Sequence, residues 1–453
     1  MQANLLYGLN DKPKPQLALT AAVQHILASF VGIITPTLVI GSVLGLETEI
    51  PYLLSMALLV SGVSTFVQVK RIGPLGSGVI AVQGTSFAFM GALITAGSIV
   101  KQRGGSSEEI IAMLVGICFA GAFIEIFVSQ FISKLGRVIN PVVTGVVITT
   151  IGISLIKVGM TDMAGGFGAA NFGAPAYLLV GISVFLLIIV LNAMRNPWLR
   201  LSAILIGMLA GSLVGYGLGI FEPHTIPGLP LVSLPIPFKY GFDFDWQLFL
   251  PVAFIYLLTS IETSGDLTAV SHFCGLPLQG KEYLERIKGG VLADGFNSMV
   301  AAVFSTFPNT TFGQNNAVIQ MTGVASRYVG FYVAGILALL GLFPIVGALL
   351  QLIPKPVLGG ATLVMFGTVA VAGVSILSRE RLDRRKTIIV ASSLGLGLGS
   401  MMVPELLTQT PQLMQVIFSS SVAVAGLTAI LLSLLLPEPG DASNVAKVEP
   451  ADC

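Results

Sequence analysis

The chain has 453 residues, of which 54% are hydrophobic and only 10% charged, with a formal net charge of +1. An average soluble chain is roughly 25% charged, so this one has too few charges to cover a water-facing surface, and lipid must be its main solvent. The near-neutral balance excludes a nucleic-acid binder, which needs a concentrated basic footprint. Three widely spaced cysteines, Cys118, Cys274 and Cys453, exclude a disulfide framework or a zinc motif.

A membrane span takes about 20 mostly apolar residues. The opening stretch, 1–16, is polar and shows no signal-peptide pattern. Seven apolar stretches follow, centred near His25, Leu59, Met90, Ala120, Thr149, Leu186 and Leu209. Residues 222–240 hold six prolines or glycines and read as a linker. Seven more stretches centre near Leu257, Leu292, Val318, Ala338, Val364, Gly395 and Leu427, those near Leu292 and Val318 being short and polar. The run "SLGLGLGS" (393–400) lacks the ending of a phosphate loop and predicts a small-residue helix contact through Gly395 and Gly399. Residues 438–453 read as a disordered polar tail, with no soluble domain appended.

Charge placement supports this count. With both ends cytoplasmic, 18 of the 23 Lys and Arg fall on the inner side and 5 on the outer, the bias that orients membrane proteins. The prediction is an all-α polytopic membrane protein with 14 transmembrane spans.

Seven spans per half is an odd number, so the halves must insert in opposite orientations, the inverted-repeat plan of secondary transporters. Spans 3 and 10 look interrupted. They are "GPLGSGVIAVQGTSFAFM" (73–90) and "FPNTTFGQNNAVIQMTGV" (307–324), each with a proline second, Pro74 and Pro308. Each begins extended and becomes helix-compatible only midway. Extended backbone in a membrane needs partners within the protein, and two short antiparallel β-strands would supply them. The half-helices that follow would aim their positive N-termini at a ligand. The alternative is a pair of kinked, glycine-rich helices.

Ionisable groups at membrane depth cost about 2.5 kcal/mol or more, so each is a candidate. Glu262 and Asp266 stand four apart, on one helix face. Both cannot ionise easily, so one is expected to hold a proton; the plainer reading has Asp266 cap a helix and Glu262 bond a neighbouring one. Asp294 either braces the broken segments or transfers protons. His25, preceded by Gln24, either titrates or stays neutral and organises the site. No three ligands share metal-like spacing.

The stretch "TFGQNNAVIQMTGVASRYVG" (311–330) resembles the signature of the nucleobase–ascorbate transporter family, also called nucleobase–cation symporter-2. Gln314-Asn315 opens the motif and Thr322-Gly323 closes it, while Ala317 stands where the family has glycine. "QH" (24–25), "QGTSF" (83–87), "ETSGD" (262–266) and "KGGVLADG" (288–295) extend the likeness along nearly the whole chain. The chain is most similar to bacterial xanthine and uric acid permeases.

The resemblance implies a core domain, 1–137 with 241–350, and a gate domain, 138–240 with 351–437. It implies a homodimer in the bacterial inner membrane, an elevator-type movement, and symport of an oxopurine with a proton as the only coupling ion. By position, Glu262 becomes the substrate-binding carboxylate and Gln314 the purine-contacting amide. Phe87 and Phe312 flank the base, Gly313 offers its N–H and Ser86 joins them. Gln24, His25, Asp266, Asp294 and Asn315 support the site, together with Glu262, in proton coupling or site organisation. In the family, Gln at the motif's head goes with xanthine or urate, Glu with uracil and Pro with ascorbate. A SulP-type anion transporter shares the seven-plus-seven plan, but would be expected to carry a soluble C-terminal domain and a cationic site.

Overall fold

The computed structural model describes residues 5–132, 140–166, 169, 171–220, 231–407, 409–410, 418 and 420–437. The predicted tail, 438–453, lies outside them, as does the first part of the linker. Helices dominate. The first half contains α1 (Pro15–Leu44), α2 (Ile50–Lys70), α3 (Met90–Gln102), α4 (Ser107–Phe131), α5 (Pro141–Met163), α6 (Pro175–Ala193), the short α7 (Pro197–Leu201) and α8 (Ala203–Gly217). The second contains α9 (Trp246–Phe273), α10 (Gly280–Val303), α11 (Gln314–Thr322), α12 (Arg327–Gly341), α13 (Pro344–Gln351), α14 (Lys355–Ser378), α15 (Arg384–Met402) and α16 (Ser421–Leu435).

Local chemistry sets many of the boundaries. Proline opens α1, α5 and α6, where its missing N–H costs nothing. Gly45 ends α1 at φ 77°, its N–H returning to the Gly41 and Ser42 carbonyls. Ser106 and Glu109 form a reciprocal capping box on α4.

All fourteen predicted span centres fall within helices. Among the described residues, seven helices are long and apolar enough to cross a bilayer singly, or eight if α12 and α13, bent by 78°, count as one. The remainder fall short for two reasons. α3, α8, α11 and α16 have only 9 to 15 residues, while α10 and α15 begin with charged turns.

The helices pack in two sets. α2 lies along α12 and α13, and α4 along α10 and α9; α5 runs beside α14, which also meets α6 and α8, and α15 pairs with α16. Glycine permits the closest crossings: a Cβ on Gly62 would lie 2.5 Å from the Ala338 nitrogen, and one on Gly152 would overlap Ala370. The predicted contact through Gly395 and Gly399 is not found, since neither has a neighbour for a Cβ within 4 Å. Gly397 makes it instead, against Ala425 and Ser421, because α16 packs on the opposite face of α15, about half a turn round the helix from either predicted position.

Two strands, β1 (Gln83–Thr85) and β2 (Asn309–Thr311), pair antiparallel with Gln83 opposite Thr311 and Thr85 opposite Asn309. Flanking bonds lengthen the ladder, from Ser86 N to Pro308 O at 2.8 Å and from Phe312 N to Val82 O at 2.9 Å. The pair is buried, so its outer edges need partners. Thr65 accepts from Gln83 N at 3.0 Å, and Ser298 accepts from Asn309 N at 3.1 Å. The described part of the linker is tied to the ends of α12 and α10: Ser233 N donates to Leu342 O at 2.9 Å and Phe238 N to Val303 O at 2.7 Å.

Candidate functional site

The strand pair positions the site. Beyond β1 the chain turns through a short 3-10 helix, Phe87–Phe89, capped by Ser86, whose Oγ accepts from Ala88 N at 3.3 Å. Beyond β2 it enters α11 at Gly313. These two turns and α9 surround a cavity of about 50 Å³. Glu262, Phe87, Phe312 and Gly313 line it with Thr85, Ala88, Thr310 and Thr311, and Ile151 of α5 and Val369 of α14 close its far side. The Phe87 and Phe312 rings stand edge to face, their centroids 6.4 Å apart. A half-buried carboxylate beside two aromatic faces suits a flat ligand with N–H donors on its edge.

Asp266 sits one turn beyond Glu262, behind the lining. It accepts from Thr311 Oγ1 at 3.1 Å. A Cβ on Gly313 would lie 2.8 Å from its Oδ1, so glycine is what lets α11 begin against this carboxylate. His25 lies on α1, fully buried, with Nδ1 2.8 Å from Asn315 Oδ1. That oxygen can only accept, so Nδ1 carries the hydrogen. Neither His25 Nε2 nor Asn315 Nδ2 has a partner among the described residues. Gln24 is half-buried on α1 and does not line the cavity.

Asp294 is placed under the strands rather than in the cavity wall. Gln68 Nε2 donates to its Oδ1 at 2.7 Å and the Thr263 hydroxyl donates to its Oδ2. Ser86 likewise shapes the turn and is not in the lining. Gln314 is the first residue of α11, and its side chain, like that of Ala317, lies outside the described residues. None of Glu262, Asp266 and Asp294 forms an ion pair among the described residues.

Several residues here were not singled out in the sequence. Gln68 and Thr263 are ordinary polar residues within apolar stretches. Ile151 and Val369 carry no signal, being apolar residues in apolar helices. Gly32 and Gly84 form a slot: a Cβ on Gly32 would lie 2.5 Å from Phe312 Cε1, and one on Gly84 would overlap the same ring.

A bundle of apolar spans with a small, acid-bearing cavity beyond a buried strand pair has the architecture of a membrane transporter, and the comparisons with known proteins agree. The permease-family model Xan_ur_permease matches residues 16–406. Xanthine permease XanP of Escherichia coli K12 is 46% identical, covering 96% of this chain and 95% of that protein. Xanthine permease XanQ of the same strain is 45% identical, covering 96% and 94%. Uric acid permease PucJ of Bacillus subtilis is 34% identical, covering 92% and 91%. The chain belongs to this permease family, the nucleobase–ascorbate transporters. Among solved structures, the transmembrane domain of the cyanobacterial bicarbonate transporter BicA matches with TM-score 0.56 at 14% identity, covering 94% of this chain and 99% of that one. SLC26A9 matches with TM-score 0.61 at 12% identity, covering 91% and 64%. These two share the fold and, at such identity, say nothing of the substrate.

Proposed function

We propose that the protein is a proton-coupled symporter that imports a purine nucleobase, xanthine or uric acid, across the bacterial inner membrane. The observation that carries this reading is one cavity lined by Glu262, Phe87, Phe312 and Gly313, in a chain 46% identical to a xanthine permease. A planar oxopurine alternates N–H donors and C=O acceptors along its edge. Glu262 accepts from ring N–H groups, the Gly313 N–H and the Gln314 amide meet the carbonyls, and the two rings cover the faces. Asp266, Asp294, His25, Gln24, Asn315 and Ser86 hold this frame.

The chain makes 14 spans as an inverted seven-plus-seven repeat, with the strand pair interrupting spans 3 and 10 and both termini in the cytoplasm. The core (1–137 with 241–350) slides past the gate (138–240 with 351–437), and the protein works as a homodimer. The two packing sets support this division. So does the cavity wall, whose polar part comes from the first set and whose Ile151 and Val369 come from α5 and α14. A base held by the core then moves along an apolar gate surface. Glu262 binds the coupling proton, so the loaded core crosses without a buried charge, which would cost several kcal/mol.

Uptake of labelled xanthine in cells lacking their own purine permeases tests the reading. Xanthine and urate should compete and uracil should not, and collapse of the pH gradient should end accumulation. No uptake of labelled xanthine, or accumulation that survives collapse of the pH gradient, would overturn it.

A further inference from the structure

A second cavity, of about 190 Å³, adjoins the first. Phe87, Ala88 and Ile151 line both, so no more than one layer of side chains parts them. One wall is α3, through Gly91, Ile94 and Thr95; the facing wall is α5, through Ser154, Leu155 and Val158. These spacings put each set on one face of its helix. Val422 at the start of α16 contributes to the rest. The surface is largely apolar, with Lys157 as its charged member. Glu262 belongs to the first cavity alone.

We propose that this chamber receives an apolar substituent on an oxopurine bound in the first cavity, so that alkylated oxopurines are ligands of the protein. The inference rests on the purine reading above. A base bonded to Glu262 by one edge turns another toward the Phe87–Ile151 boundary. A hydrogen at that edge leaves the chamber unused, whereas an alkyl chain passes the Phe87 ring and buries itself between α3 and α5. The chamber thereby selects by the position of the substituent on the ring and by its length.

Gly91 supplies the test. It lines the chamber, and a Cβ built on it meets nothing within 4 Å. Gly91→Leu therefore adds a side chain at the chamber wall from a Cβ that meets no neighbour, and leucine is the better helix former. Inhibition of labelled xanthine uptake is measured with xanthines bearing methyl to butyl groups at each ring position. At one position, inhibition by the unmodified protein's ligands should strengthen with chain length. In Gly91→Leu that inhibition should weaken about tenfold or more, the scale on which a pocket resolves a methylene, while the KM for xanthine stays within about twofold. Ser154→Leu fills the chamber from the opposite wall, where the lost hydroxyl bonds only Ile151 O of its own helix at 2.9 Å. Either variant alone decides the matter if the other fails to reach the membrane. Equal inhibition of variant and unmodified protein, or no tolerated substituent at any position, overturns the chamber. Absence of xanthine uptake by the unmodified protein overturns instead the purine reading, and the chamber with it.

Discussion

Gln68 donates to Asp294 across 2.7 Å, joining the end of α2 to the middle of α10 over a sequence separation of 226. The same Nε2 reaches Gly290 O at 2.8 Å, and the Oε1 accepts from Ser77 N at 3.0 Å. One amide thus ties α2, α10 and the segment leading into β1, and Asp294 is the anchor of that brace. Gln68→Leu strips a donor from the buried carboxylate and leaves Ser77 N unpaired. It should cost about 1–3 kcal/mol, read as a lower unfolding temperature in detergent. Gln68→Glu, which faces one carboxylate with another, should be worse. Equal stability of all three proteins would show that the brace contributes nothing.

Gly32→Ala should push the Phe312 ring out of its slot, since the added methyl lies 2.5 Å from Cε1. Overpacking of this kind costs about 1–3 kcal/mol, and here it should appear as a higher KM for xanthine. In a Phe312→Leu background the same change should have almost no effect, because the obstructed ring is gone. Additive effects in that double-mutant cycle would disconnect the two residues.

Glu262→Gln should abolish uphill, pH-driven accumulation while keeping exchange across the membrane, since an amide still hydrogen-bonds the base. Counterflow in proteoliposomes, set beside uptake under a pH gradient, separates the two. If the variant still concentrates substrate, the proton rides on Asp266 or Asp294.

Gln314→Glu should weaken oxopurine binding by about 1–3 kcal/mol, because an amide donor is lost and a second carboxylate enters the site. Competition binding at matched surface expression measures this. Unchanged xanthine affinity would remove Gln314 from substrate recognition.

Asp245 gives a pH test outside the membrane. It caps α9 by accepting from Gln247 N at 2.8 Å and pairs with Arg103 at 2.8 Å. Burial opposes its ionisation, but the Arg103 hydrogen bond and the Gln247 and Leu248 N–H groups prevail and hold the carboxyl below its ordinary value. A depressed native pKa stabilises above the unfolded value, about 4, and that stability is lost as pH falls through the native one. Asp245→Ala should cost about 1 kcal/mol near neutrality. The gap should close on acidification, as followed by the fluorescence of adjacent Trp246. A gap that widens in acid would reverse the sign.

What the sequence by itself determined is what short-range sums determine. Hydropathy accumulates over about 20 neighbouring residues, so every predicted span centre fell in a helix. The proline-led, extended stretches near Gln83 and Asn309 were legible for the same reason, as segments unable to continue a helix. Glu262 stood out as a carboxylate at membrane depth, four residues from Asp266, whereas Phe87, Phe312 and Gly313 were singled out only through the resemblance to a family.

Only the tertiary structure decided the partners. Nothing local to His25 points to Asn315, 290 residues away, and nothing local to Gln68 points to Asp294. Ile151 and Val369 look like any other apolar residue in α5 and α14, yet they close the cavity, because which face of a helix meets a site depends on how whole helices cross. The glycines illustrate the limit. Spacing alone selected Gly395 and Gly399, but the approach of α16 decided for Gly397, since close packing is a property of two surfaces and the sequence states only one at a time.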